Sequence, residues 1–347
     1  MNYGYWLPVF GGWLRNVEDE NMAPTWDYVK KLAMRSEEIG FDIALIAELY
    51  LNDIKGQNAP SLDAWSTAAA LAAVTSKQEL MVAVRPTFHN PAQLAKQAAN
   101  IDHISNGRLS LNVVSSWWRD EAEKYGIHFE QHDDRYARTA EWLNVVDNVW
   151  KKDNFDFEGK YYKVKDNILQ PKPVSSPRPK IYAGGESDAA KDLISTTCDG
   201  YVMHGDSPEL IGKRIADMRE RREKKGLPPM IYGVAGYSII RKDEQEVKQE
   251  LDRITNVKEG SPGYDNYQQW LAGTQLEQRV SLTDYSVSNR GLRTGLTGTA
   301  WQVQDRIAEF EKVGVDFFLL QCSPQLEEME RFSENIIEAR ITDQFAE

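Results

Sequence analysis

The sequence predicts an α/β fold, a (β/α)8 TIM barrel with loop insertions, built as one domain across all 347 residues. Two observations carry this. Short apolar runs alternate eight times with helical patterns, and alternating strand and helix requires parallel strands joined by right-handed crossovers. Eight such units suffice to close a barrel. In addition, no GxGxxG follows the first apolar run, so the fingerprint of the alternative, an open doubly wound sheet, is absent.

The elements follow in order. Tyr3–Phe10 reads as the first strand. Thr25 caps an amphipathic helix that runs to Ile39 and stops at Gly40. Phe41–Ala47 is a buried strand, and Leu62–Val74 is Ala-rich and helical. Leu80–Arg85 is a strand. Pro91 opens a helix to Ser105, stopped by Asn106-Gly107. Leu109–Val114 is a strand, and Arg135–Trp150 is helical. Pro179–Ala183 is a strand ending in Gly184-Gly185, with a helix over Asp188–Thr197. Gly200–Met203 is followed by a helix over Pro208–Lys225, and Met230–Ile240 by one over Glu244–Ile254. Ala300–Val313 is helical, Phe317–Gln321 is the last strand, and Pro324–Arg340 is the last helix.

Three segments exceed what a barrel needs: 115–134, 154–179 and 255–299. The second contains a hairpin pattern turning at Gly159. The third is long, polar and rich in Gly, Ser, Asn and Tyr, which marks a functional stretch and predicts a lid over the barrel mouth, mobile around Ser281–Gly295.

Composition narrows the function. Asp and Glu number 53 against 41 Lys and Arg, a net charge of −12. With no basic run, nucleic-acid binding is not expected, because phosphate neutralisation supplies most of that affinity. No apolar stretch approaches the ~18 residues of a membrane span. Cys198 and Cys322 form no CxxC pair or disulfide framework. No signal-peptide pattern opens the chain, so a cytoplasmic location is expected.

A barrel works at the C-terminal ends of its strands. These ends carry Phe10, Ala47-Glu48, Arg85, Asn112 with Ser115-Ser116, Gly184–Ser187, His204, Tyr237 and Gln321–Ser323. No metal-ligand spacing occurs among them, so no metal is expected. Ser115 and Ser116 lack the GxSxG elbow of acyl transfer. Gly184-Gly185-Glu186-Ser187 runs from a strand into a helix start, where amide N–H groups and the helix dipole favour an anion. The plain reading is a β–α turn with Ser187 or Asp188 as cap. His132, Arg135 and Tyr136 bring donors to a second helix start, whose plain reading is a solvated helix entrance. Tyr5, Trp6, Phe10, Trp13, Trp117 and Trp118 are expected to crowd the same end. An aromatic pocket beside a phosphate site suits a flavin and a small apolar substrate.

These residues resemble the bacterial luciferase-like family of two-component monooxygenases dependent on reduced FMN. The resemblance covers nearly the whole chain. It rests on Asp63-Ala64-Trp65, Ala83-Val84-Arg85-Pro86, Gln97-Ala98-Ala99, Ile101–Arg108, Asn112–Ser115, Arg135-Tyr136, Gly184–Ser187 and Gly314-Val315-Asp316. Within the family the chain is most similar to the alkanesulfonate and pyrimidine-ring enzymes. It is most similar of all to the dimethyl-sulfone monooxygenases, through Asn-Val-Val-Ser-Ser-Trp-Trp at 112–118.

The resemblance implies flavin contacts from Asn112, Glu121, Arg135, Tyr136 and Ser187, with Ala47 and Glu48 along the flavin ring. It implies a homo-oligomer, dimer or tetramer, supplied with reduced FMN by an NAD(P)H-dependent FMN reductase and using molecular oxygen. Where the alkanesulfonate enzymes carry an Arg and a His on the seventh strand, this chain has Ala235 and Tyr237. Ser61 and Ser323 replace a Cys and a Tyr. A buried sulfonate needs a cation, so these departures predict a neutral organosulfur substrate such as dimethyl sulfone, yielding methanesulfinate and formaldehyde. Tyr237, Ser61, His204, Glu48 and Trp6 are the candidate pocket groups. Arg290 and Arg293 are the residues able to restore a charge. The alternatives are an alkanesulfonate or pyrimidine-ring monooxygenase, and a non-catalytic flavin-binding barrel.

Overall fold

A computed structural model describes residues 1–129, 132–256, 267, 280–287 and 290–339. The elements, in chain order, are β1 (Asn2–Leu7), α1 (Trp26–Glu38), β2 (Ile43–Ile46), α2 (Ala64–Val74), β3 (Glu79–Val84), α3 (Pro91–Ser105), β4 (Leu109–Val113), α4 (Arg119–Lys124) and α5 (His132–Lys151). There follow β5 (Phe155–Glu158), β6 (Lys163–Asn167), β7 (Lys180–Ala183), α6 (Asp188–Thr197), β8 (Gly200–Met203), α7 (Pro208–Lys224), β9 (Ile231–Tyr237), β10 (Ile239–Ile240) and α8 (Glu244–Thr255). The chain ends with α9 (Leu282–Ser286), β11 (Thr297–Gly298), α10 (Ala300–Val313), β12 (Phe317–Gln321) and α11 (Gln325–Phe332), the last running on into a π-helical turn over Ser333–Ile337.

Eight strands close a barrel in the order β1-β12-β9-β8-β7-β4-β3-β2. All its pairings are parallel. The expected (β/α)8 architecture is therefore the observed one.

Local chemistry sets the helix starts. Thr25, Asp63, Asn90, Ser187, Ser207 and Asp243 each accept a backbone N–H of the first turn from a side-chain oxygen. Gly40 ends the first unit at φ 89°, a conformation that costs a residue with a Cβ.

Side chains alternate across each strand. The inward set, Ile43, Leu45, Met81, Tyr182, Phe317 and Leu319, fills the barrel, and the Tyr182 and Phe317 rings meet edge-on at 5.7 Å. Gly200 and Gly233 make room for these two rings, since a Cβ at either would collide with them. The lower barrel is thus packed solid. The space that remains among the described residues opens at the C-terminal mouth.

The insertions are partly structured. Segment 115–134 contains α4. Segment 154–179 contains the expected hairpin, antiparallel β5 and β6. Glu141 of α5 pins its turn by accepting the N–H groups of Lys160, Tyr161 and Tyr162 at 2.8, 2.9 and 3.2 Å. Of the segment expected to act as a lid, 255–299, residues 257–266, 268–279 and 288–289 lie outside the described residues.

The strand expected over Met230–Ile240 breaks at Ser238. Its end, β10, pairs with β11 instead of continuing the barrel. Among the described residues, no helix is long and apolar enough to cross a membrane.

Candidate active site

The barrel mouth holds a cavity of about 290 Å³. Trp6 comes from β1, Leu45 and Ala47-Glu48 from the end of β2, and Ala83 and Arg85 from β3. Asn112 comes from β4, Gly184–Glu186 follow β7, Val202–His204 end β8, and Ala235 and Gln321 come from β9 and β12. Phe10, Trp13, Trp117 and Tyr285 add aromatic wall, and Arg135 and Tyr136 enter from the start of α5. The Trp117 and Trp118 rings stack at 5.5 Å and 4°, with Trp118 buried beneath the cavity-lining Trp117.

Three charged networks frame this space. At one corner, buried Glu48 accepts the Arg85 backbone N–H at 2.9 Å and bonds His89 Nε2 at 2.6 Å. The Arg85 guanidinium also reaches Glu121, which accepts the N–H groups of Tyr50 and Leu51 at 2.6 and 3.3 Å. Arg85 lies 3.8 Å over the Phe88 ring, a cation–π contact. On a second side Arg15 pairs with Asp53 at 2.7 Å, lies 4.0 Å over Tyr285 and donates to its carbonyl at 3.2 Å.

The third network ties Arg290 to Glu186, with Arg214 4.0 Å from Glu186 and 3.1 Å from Asp206. Arg290 is 1% exposed, and its Nε and Nη1 have no hydrogen-bond partner among the described residues. Close packing fixes its place. A Cβ on Gly205 would strike the Arg290 carbonyl, and one on Gly291 would stand 2.7 Å from the Tyr237 amide nitrogen. Burial and the Arg290 charge together push His204 down to about 4, so its imidazole is neutral at neutral pH.

Of the residues singled out from sequence, the cavity gathers Trp6, His204, Ala47, Glu48, Asn112, Arg135, Tyr136, Gly184 and Gly185. Four others lie elsewhere. Tyr237 packs into a separate apolar cluster with Leu14, Ile239, Ile254 and Val287, because the Arg290-Gly291 turn closes the cavity at Ala235. Ser61 donates to the Leu49 carbonyl at 2.9 Å and holds the β2–α2 loop. Glu121 sits behind Arg85. Ser187 caps α6, accepting the Ala190 N–H at 3.3 Å. The side chain of His132 lies outside the described residues.

Gly184 and Gly185 are also required by packing. A Cβ on the first would meet the Val202 carbonyl at 2.8 Å, and on the second the Ala190 Cβ at 2.6 Å. Arg293 pairs with Asp284 at 2.7 Å outside the cavity wall, whereas Arg290 enters it. The expectation of a wall without a cation is therefore corrected. Arg15, Asp53 and His89 went unnoticed in the sequence, because their roles rest on partners 38 and 41 residues distant.

A closed parallel barrel whose mouth combines aromatic walls, a glycine turn at a helix start and paired buried arginines is a cofactor-binding enzyme scaffold of the flavin-monooxygenase type. The chain belongs to the luciferase-like monooxygenase family, whose model matches residues 1–316. It is 32% identical to an FMNH2-dependent dimethylsulfone monooxygenase of Pseudomonas putida, covering 97% of this chain and 94% of that one. The namesake enzyme of Pseudomonas fluorescens is also 32% identical, over 97% and 93%. In fold it is similar to a long-chain alkane monooxygenase, with TM-score 0.84 at 19% identity over 99% of this chain and 92% of the other.

Proposed function

We propose that the protein is a two-component monooxygenase. Reduced FMN from a separate NAD(P)H-dependent reductase, together with molecular oxygen, oxidises a small neutral organosulfur compound, dimethyl sulfone, to methanesulfinate and formaldehyde. Family membership and the two named relatives support the reaction class. The buried residues fit the flavin. Asn112 offers an unpartnered, buried Oδ1 to the polar edge of a ring. Ala47, Ala83 and Val202 leave flat apolar wall, and Tyr136 Oη lies 3.5 Å from the Cβ position of Gly185, beside Arg135, where a phosphate would rest. Ser187 uses an acceptor lone pair to cap α6, so its hydroxyl hydrogen is available to the same phosphate.

Reduced FMN with oxygen supplies the oxidising chemistry. The protein's part is to hold the flavin, exclude water and orient the substrate. One observation carries the substrate reading. Arg290 lines the cavity with its Nε and Nη1 unpartnered among the described residues, while Glu186 pairs with its guanidinium. Such a group can hold the two acceptor oxygens of an uncharged sulfone, while its pairing with Glu186 offsets its attraction for an anion. The guanidinium itself is the feature that favours a sulfonate, so the two are compared directly. Turnover with an FMN reductase, NADH and a panel of sulfones, sulfonates and pyrimidines, with products read by mass spectrometry, tests the proposal. Absence of sulfinate from dimethyl sulfone would sink it.

Segment 255–299 is proposed to close the mouth, as the contacts of Tyr285 and Arg290 with the walls suggest. Hydrogen exchange equally slow there with and without reduced FMN would count against closure. A cytoplasmic homo-oligomer, dimer or tetramer, is proposed on family resemblance, and light scattering reads its size.

A further inference from the structure

We infer that Glu48 and His89 form a proton exit from the closed cavity, with Glu48 as the acceptor at the cavity wall and His89 as the carrier to solvent. The inference rests on the reaction proposed above. In that reaction one methyl group of the sulfone loses its C–S bond and one C–H bond, its carbon takes one oxygen atom as C=O, the sulfur keeps an electron pair as sulfinate, and the methyl hydrogen leaves as a proton. The second oxygen atom leaves as water, taking the two hydrogens and two electrons of the reduced flavin. Dimethyl sulfone, FMNH2 and O2 thus become methanesulfinate, a proton, formaldehyde, FMN and water. The substrate is neutral and the sulfinate is an anion, so each turnover frees one proton inside an enclosed, largely apolar space.

The geometry points to where that proton goes. Glu48 lies in the cavity wall with its side chain 1% exposed. Its Oε2 is held by the Arg85 backbone N–H at 2.9 Å and by Arg85 Nε at 3.4 Å, and its Oε1 bonds His89 Nε2 at 2.6 Å. His89 lies behind Glu48 rather than in the wall, and its side chain keeps 14% of its surface exposed. The order cavity, Glu48, His89, surface follows from these contacts, and Oε1 can pass a proton to Nε2 when the imidazole carries its own hydrogen on Nδ1.

Charge counting gives the direction. Arg85 faces two buried carboxylates, Glu48 and Glu121. One guanidinium against two carboxylates leaves a formal charge of −1 on these three groups, so the cluster attracts a proton formed in the cavity. The other groups packed around the pair are the Trp65 ring, 6.0 Å from His89, the Trp142 indole, which donates to the His89 carbonyl at 3.0 Å, and Tyr50, whose surroundings include Asp63. None of these is positioned between Glu48 and His89 to take over the bond.

The test measures proton release in single turnovers, in weak buffer with a pH indicator, alongside sulfinate formation and FMN affinity by titration. His89→Gln can still donate to Glu48 but cannot relay. It is expected to slow proton release and kcat at least tenfold, raise the solvent isotope effect and leave FMN affinity within twofold. His89→Ala is expected to regain rate in proportion to added imidazole, a rescue that lost packing alone would not produce. Wild-type proton release and pH profile in His89→Gln, or no imidazole rescue in a His89→Ala protein that binds FMN, overturns the exit while leaving the reaction standing. No sulfinate from the wild type overturns both readings.

Discussion

Replacing Glu186 by Gln isolates the charge that sets substrate choice. The carboxylate touches Arg290 and lies 4.0 Å from Arg214. A sulfonate bound by the Arg290 donors would sit about 6 Å from it. With an effective dielectric of about 40, repulsion at that distance is about 1.4 kcal/mol, or tenfold. The uncharged sulfone feels none of it. Glu186→Gln should therefore shift the kcat/KM ratio of dimethyl sulfone to methanesulfonate toward the sulfonate by about tenfold, and the proposed neutral substrate requires a wild-type ratio of at least about tenfold with the Arg290 attraction included. Removing one partner of a dry buried pair costs about 3–5 kcal/mol. A melting curve reads that cost and confirms that the variant is folded. Equal efficiency on both substrates in the wild type, or an unchanged ratio in Glu186→Gln, refutes the argument. If methanesulfonate is the better substrate and Arg290→Ala abolishes its turnover, the site is a sulfonate site.

Three further outcomes are expected. Ser187→Ala and Arg135→Ala should each weaken FMN binding by about 1.5–3 kcal/mol, the worth of a hydrogen bond to a charged group, as read by fluorescence titration. Tyr237→Phe should leave turnover unchanged and cost no stability, because the Tyr237 hydroxyl is buried without a partner among the described residues and faces away from the cavity; a loss of activity would return Tyr237 to the site. His204 has its folded value pushed down to about 4, so the unfolded chain binds its proton more readily between pH about 6.5 and 4. The stability this neutral histidine contributes is present above pH about 6.5 and lost as pH falls toward 4, by at most about 3 kcal/mol. His204→Gln should flatten that part of a pH series of melting curves.

What the sequence reveals depends on the distance over which each feature is decided. Helices Pro91–Ser105 and Asp188–Thr197 start and stop where expected, because Asn90, Ser187 and the Asn106-Gly107 turn act on their own neighbours. Strand ends locate the mouth for the same reason, and they place Glu48, Asn112 and His204 in its wall. Tyr237 shows the limit. Counting two residues on from Ala235 puts it on the same face, but the chain leaves the barrel at Ser238 and a turn from 53 residues later fills the gap. Arg290 enters through contacts of Gly205 and Gly291, and Arg15 meets Asp53 across 38 residues. No local pattern encodes those meetings. Ser187 was ambiguous from the start, since one hydroxyl can cap a helix and donate outward at once.

The three networks have a common logic. A cavity that sheds water cannot hold bare guanidinium groups, so Arg85, Arg15 and Arg290 each arrive matched by a buried carboxylate. Matching leaves their N–H groups able to orient oxygens while removing the net charge that would retain an anion. The proposed substrate is neutral and the proposed product is not. A wall of this kind therefore holds dimethyl sulfone by hydrogen bonds and apolar contact, and once methanesulfinate forms, the Glu186 carboxylate behind Arg290 repels it. Product release then follows from the same carboxylate that excludes sulfonates. Methanesulfinate should inhibit the wild type weakly, and Glu186→Gln should strengthen that inhibition about tenfold, the same 1.4 kcal/mol seen from the product side. Strong inhibition of the wild type, with no change in the variant, would mean that Arg290 is not neutralised where the substrate binds.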